Sequence, residues 1–116
     1  MIYDMRTYEL KPGVLQEYMA AVHEVALPVR LDAGVKLAGW YYPEIGDLNH
    51  VVHIWVYQDY EHMEKAKQQF RSDPRWLNDY LPRVKGMIRR QRNQIMKAAD
   101  LMDCHLEERA TGYFKN

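Results

Sequence analysis

Gly39-Trp40-Tyr41-Tyr42-Pro43-Glu44-Ile45-Gly46-Asp47-Leu48-Asn49-His50-Val51-Val52-His53-Ile54-Trp55-Val56-Tyr57 is the stretch that decides the fold. It reads as two strands, 35–45 and 49–58, joined by a tight turn beginning at Gly46-Asp47, which makes an antiparallel hairpin. Along the second strand Val52, Ile54 and Val56 point one way, and Val51, His53, Trp55 and Tyr57 point the other. A strand that is apolar on both faces needs cover on both.

Upstream, residues 2–10 favour extended structure through Tyr3, Met5, Thr7 and Tyr8, and Lys11-Pro12-Gly13 stops them. Leu15, Tyr18, Met19, Val22, Val25, Ala26 and Val29 then recur every three or four residues, one apolar stripe of a helix. Pro28 is expected to kink that helix or end its regular part near Leu27, with Gly34 as the stop. Downstream, Asp59 caps an expected helix over 60–71, with Met63, Ala66 and Phe70 inward. Asp73-Pro74 opens a short helix whose apolar face is Trp76, Leu77, Tyr80 and Leu81, ended by Pro82 and Gly86. Residues 87–96 are ambiguous: Arg, Gln, Met and Lys favour helix, whereas a fourth strand would complete a sheet and suit a polar edge.

Strand, helix, strand, strand, helix, strand is a ferredoxin-like βαββαβ arrangement of the α+β class, with a four-stranded antiparallel sheet. If the helices cover the valine and isoleucine face, Trp55 and Tyr57 face outward. Leaving such side chains wet forfeits roughly 1.5–3 kcal/mol each. A second copy packed sheet to sheet recovers this, so a homodimer is expected. The domain is placed at 1–97, with 98–116 as a C-terminal tail.

At 116 residues the chain is expected to form one domain. Formal net charge is zero, so neither a nucleic-acid nor a membrane-surface footprint is indicated. The single cysteine, Cys104, excludes an internal disulfide. No apolar run approaches the ~18 residues of a membrane span, and no secretory signal is read. A cytoplasmic protein is the expectation.

Arg6-Thr7-Tyr8-Glu9-Leu10-Lys11-Pro12-Gly13, Tyr18, the Gly39–Tyr57 stretch and Asp73-Pro74-Arg75-Trp76 together resemble the NIPSNAP family. The resemblance covers about residues 1–97; Glu44-Ile45-Gly46 with Leu48-Asn49, followed by Trp55 and Tyr57, is its most specific part. It implies a dimeric α/β barrel, two ferredoxin-like units with facing sheets, and it implies that 87–96 is a strand. Vertebrate members are mitochondrial and linked to vesicle traffic and mitophagy. Without an Arg- and Ser-rich extension, this chain is expected to be a short, stand-alone bacterial member, for which the family supplies no settled activity.

The candidate ligand-binding residues are Arg6, Tyr8, Glu44, Asn49, His53 and Trp55. Placed on the inner barrel face, Arg6, Tyr8, His53 and Trp55 bring a cation, a phenol, an imidazole and a large ring around one cavity, suited to a small, partly apolar, anionic ligand. With an ordinary pKa near 6.5, His53 is a candidate acid or base. The plainer alternatives are packing for Trp55 and Tyr57, an ion pair for Arg6 with Glu44, and a turn former for Asn49. His50 and His53 point to opposite faces, and His23, His62 and His105 lack partners at ligand spacing, so no metal site is expected. No cofactor and no catalytic set is read. Two functions follow: a small-molecule binding protein or cofactor-free enzyme using the cavity, or a non-enzymatic protein-interaction or scaffold module.

Overall fold

A computed structural model describes residues 1–99, 101–102 and 113–114. Four strands, β1 (Ile2–Leu10), β2 (Lys36–Tyr41), β3 (His50–Tyr57) and β4 (Ile88–Met96), form one antiparallel sheet in the order β2-β3-β1-β4. The ambiguous stretch 87–96 is therefore strand from Ile88 onward, not helix. Local propensity yields there to pairing along the whole of β1, from Tyr3 opposite Met96 to Leu10 opposite Ile88. The tail 98–116, with Cys104 and His105, lies largely outside the described residues.

Helix α1 runs over residues 15–32, helix α2 over Tyr60–Arg71 and helix α3 over residues 74–84. Pro28 and Pro82 end neither of their helices. Each is preceded by a π-helical turn, Val22–Ala26 in α1 and Trp76–Tyr80 in α3. Leu27 N–H donates to the carbonyl of Val22, and Leu81 N–H to that of Trp76, five residues back in both cases. A proline lacks the N–H of a regular turn, and its ring crowds the carbonyl four residues behind. Widening the turn by one residue removes the clash and lets the helix continue. The two π turns pack against each other.

α2 begins where the sequence places it. Asp59 accepts a hydrogen bond from His62 N–H at 2.7 Å, and His62 Nδ1 accepts from Gln58 N–H at 2.9 Å. This resembles a capping box, except that the histidine ring accepts from the residue before the cap rather than from the cap itself.

The helices cover the other face of β3 from the one expected. Val51, Trp55 and Tyr57 are fully buried in the core with Tyr18, Val25, Val29 and Phe70. Val52 and Ile54 point away from the helices and are half-buried. The cross-strand register carries this through the sheet. Ile2, Asp4, Arg6 and Tyr8 of β1 lie opposite Tyr57, Trp55, His53 and Val51 on the helix side, while Tyr3, Met5 and Thr7 lie opposite Val56, Ile54 and Val52 on the outer side.

The connection between β2 and β3 is longer than a tight turn. β2 stops at Tyr41, and residues 42–49 form an exposed loop. Pro43 has no N–H to extend the ladder. A bulge at Ala38, between Leu37 and Gly39, shifts the alternation of β2 by one residue and turns Trp40 inward over His53. On the outer side the Tyr41 ring folds onto Gly39, where a Cβ would fall on it.

Candidate functional site

Between the sheet and the helices lies a partly open cavity of about 170 Å³, walled by Tyr8 and Tyr57 from the sheet and by Phe70, Trp76 and Tyr80 from α2 and α3. Two charged side chains in its lining are almost wholly buried: Asp4 at 1% exposure and Arg30 at 8%.

Asp4, Arg6 and Tyr8 alternate along β1 and therefore share its helix-side face. Arg6 donates to Asp4 Oδ2 at 3.1 Å and to the Tyr8 hydroxyl at 2.7 Å. The Asn93 amide of β4, with its oxygen toward Arg6, accepts two more bonds at 3.3 Å. The Arg6 guanidinium is thus committed to structure. Against the desolvating effect of burial, the Tyr8 phenol and the Asp4 carboxylate hold its pKa up.

Arg30 is placed differently. Its guanidinium lies 4.2 Å from the Trp55 ring, 5.1 Å from Phe70 and 5.4 Å from Trp76. Among the described residues no carboxylate pairs with it, and its Nε is buried without a hydrogen-bond partner. Desolvation, the largest influence, pulls its pKa below the ordinary arginine value. Oδ1 of Asp4 is also buried without a partner. Burial pushes Tyr57 and Tyr80 above the ordinary phenol range, so both remain neutral near pH 7. Lys67 and Arg71, at the rim of the cavity, add positive charge.

The sequence-predicted residues divide in two. Arg6, Tyr8, His53 and Trp55 come together, but beneath their own helices rather than on an inner barrel face. His53, 2% exposed, is absent from the cavity wall and packs among Tyr8, Trp40 and Trp55. Its Nδ1 accepts from the Trp55 indole N–H at 2.6 Å, which leaves the proton of the neutral ring on Nε2. Burial, reinforced by Arg30 and Arg6, pushes its pKa down to about 2, so His53 does not titrate near 6.5. Glu44 sits exposed in the 42–49 loop, and the carboxylate that pairs with Arg6 is Asp4. Asn49 has a φ of 62°, and its carbonyl accepts from Leu10 N–H at 2.7 Å; it is a turn residue joining the loop to β1.

Sequence reasoning missed Asp4 and Arg30. Asp4 was signalled by its even spacing from Arg6 and Tyr8, two and four residues on. Arg30 follows Val22 by eight residues and Ala26 by four, on the apolar stripe itself, where a charge is unexpected. On the outer face, a shallow hollow of about 510 Å³ is lined by Thr7, Tyr41, Tyr42, His50 and Val52, and contains none of the four clustered residues.

The NIPSNAP family model matches residues 3–102. The chain belongs to the NIPSNAP family. Human NipSnap homolog 3A is 28% identical over 96 residues, 82% of this chain and 38% of the human protein, so this NIPSNAP chain spans well under half the length of that relative. A NIPSNAP protein of unknown function from Agrobacterium tumefaciens is 33% identical, with a TM-score of 0.78 over 85% of this chain and 88% of that one. An uncharacterised NIPSNAP domain protein from Burkholderia xenovorans is 27% identical, with a TM-score of 0.78 over 86% of this chain and 96% of that one. An antibiotic biosynthesis monooxygenase, 14% identical, superposes with a TM-score of 0.60 over 85% of this chain and 99% of that one, a likeness of fold alone. No helix among the described residues is long and apolar enough to cross a membrane.

Proposed function

We propose that this NIPSNAP chain binds a small, partly apolar molecule in the cavity between its sheet and its helices, one site in each subunit of a homodimer. The single observation that carries this reading is Arg30. A buried guanidinium without a carboxylate costs several kcal/mol of desolvation, and a fold that served only its own stability would place a hydrophobic residue there. The cavity beside Arg30 matches in scale the ~150 Å³ hollow that accepts benzene in an apolar core. Its aromatic walls with a few convergent polar groups are the usual make-up of a ligand site. Of the predicted ligand-binding residues, Arg6, Tyr8 and Trp55 serve it by holding Asp4 and Arg30 in place. Glu44 and Asn49 shape the hairpin loop.

The homodimer rests on a different set of side chains from the one the sequence suggested, since Trp55 and Tyr57 are already covered. The outer sheet face presents Met5, Val52, Ile54 and Tyr41, with helices α1, α2 and α3 packed on the opposite side. A second copy packed face to face at about 10 Å would bury them. The working unit is taken as residues 1–97 with 98–116 as an appended tail, in the cytoplasm on composition alone.

Native mass spectrometry of the protein purified from its own host tests both parts. Twice the chain mass, plus one small reproducible increment per subunit, is expected. A bare monomer would count against both; a bare dimer would count against the ligand and favour an interaction module.

A further inference from the structure

This inference rests on the cavity being a ligand site and names the class of ligand. The charged groups that meet in the cavity do not balance. Among the described residues that line it, Arg6, Arg30, Lys67 and Arg71 are cationic and Asp4, already bonded to Arg6, is the one carboxylate. Tyr57 and Tyr80 beside it supply no negative charge near pH 7, since an ordinary phenol is protonated there and burial raises both further. The imbalance at Arg30 therefore calls for an anion.

The unpartnered atoms add a second requirement. Nε of Arg30 is a donor without an acceptor, and Oδ1 of Asp4 is an acceptor without a donor; both belong to side chains more than nine-tenths buried in the same lining. Buried polar groups left unpaired are rare and call for an explanation. Water satisfies either atom but brings no net charge. A single molecule satisfies both, and the charge as well, if it carries one anionic acceptor and one neutral donor. The walls settle the rest. Phe70, Trp76 and Tyr80 are flat rings, and about 170 Å³ is room for one ring rather than two.

We infer that the ligand is a hydroxylated single-ring aromatic carboxylate, with its carboxylate on the Arg30 guanidinium and its hydroxyl donating to Oδ1 of Asp4. Arginine suits the first contact because its planar fork matches a carboxylate while its face stays stacked on Trp55. Asp4, held by Arg6, presents its second oxygen at a fixed angle.

Isothermal titration calorimetry of the full chain near pH 7 tests this with 3- and 4-hydroxybenzoate, benzoate, phenol and indole. At least one hydroxybenzoate is expected to bind about tenfold more tightly than benzoate, the gain of one hydrogen bond to a charged acceptor, and more tightly still than phenol. Arg30→Met is expected to weaken the hydroxybenzoate at least tenfold, and Asp4→Asn to remove its advantage over benzoate. Should Asp4→Asn disturb the fold, the order of the five probes on the unaltered protein decides alone. Phenol or indole binding as tightly as the acids would overturn this inference and leave the cavity as a neutral aromatic site. Uptake of none of the five would overturn the binding site itself.

Discussion

Replacing Arg30 by methionine is expected to stabilise the protein while removing its ligand. Arg30 lies over Trp55, Phe70 and Trp76 at 4.2, 5.1 and 5.4 Å, so the substitution forfeits a desolvated cation–π interaction of about 2 kcal/mol. Methionine regains about 1 kcal/mol of that through sulfur–aromatic contact in much the same volume. On the other side, it relieves an unpaired buried donor, about 1–3 kcal/mol, and the desolvation of a charge with no carboxylate beside it, several kcal/mol more before relaxation. The balance is a gain of about 1–3 kcal/mol, or roughly 4–12 °C in Tm for a domain of this size. Urea unfolding followed by circular dichroism, with a thermal melt, reads it directly. Protomer concentration must be fixed, because association contributes to apparent stability. Arg30→Lys is the control: it keeps the charge, loses the planar stack, and is expected to give no gain. A lower Tm for Arg30→Met than for the natural protein would show that Arg30 is a structural residue and would remove the chief support for the cavity as a binding site.

Three further outcomes are expected. Ile54→Asp, on the outer sheet face, should give a monomer of unchanged helix content by light scattering and circular dichroism; a dimer of natural affinity would mean that the subunits do not meet through this face. His53, with a folded-state pKa of about 2 against an ordinary 6.5, binds no proton in the folded protein between those values but does so when unfolded, so it makes stability fall as pH drops below 6.5. The stability difference between the natural protein and His53→Gln should therefore narrow by about 1.4 kcal/mol per pH unit below 6.5 in urea titrations; a constant difference would show that the histidine is not held neutral. At Asn49, whose φ is 62°, substitution by valine should cost about 1–2 kcal/mol and substitution by glycine nearly nothing, by the same titrations; equal effects would place the role of Asn49 in its side chain.

The order of elements was legible because each carries its own local signal. Asp59 opens α2 at the expected residue, and Lys11-Pro12-Gly13 and Gly34 separate β1, α1 and β2. Which face of the sheet the helices take was not legible. β3 is apolar on both faces, so alternation gives two equivalent answers, and only the packed volume under the helices assigns Trp55 and Tyr57 inward. The bulge at Ala38 hid Trp40 from any period-two reading. Pro28 disturbs the helix just before Leu27, as expected, whereas Pro82 does not end its helix, because a π turn is invisible to a rule that counts four residues back. Arg6 with Tyr8, and His53 with Trp55, could be grouped from sequence because strand neighbours two apart share a face. Arg30 could not, since its meaning depends on the absence of a carboxylate opposite it, which only tertiary packing reveals.

On the reading proposed above, the ligand enters between sheet and helices, not between two sheets. Chemical-shift mapping with the hydroxybenzoate that binds most tightly tests it most directly. The indole N–H resonances of Trp55 and Trp76 and the guanidinium Nε–H of Arg30 should move on titration, while the methyl resonances of Val52 and Ile54 stay in place. Movement of the Val52 and Ile54 methyls, with the indoles and Arg30 unchanged, would put the ligand on the outer face and contradict the account.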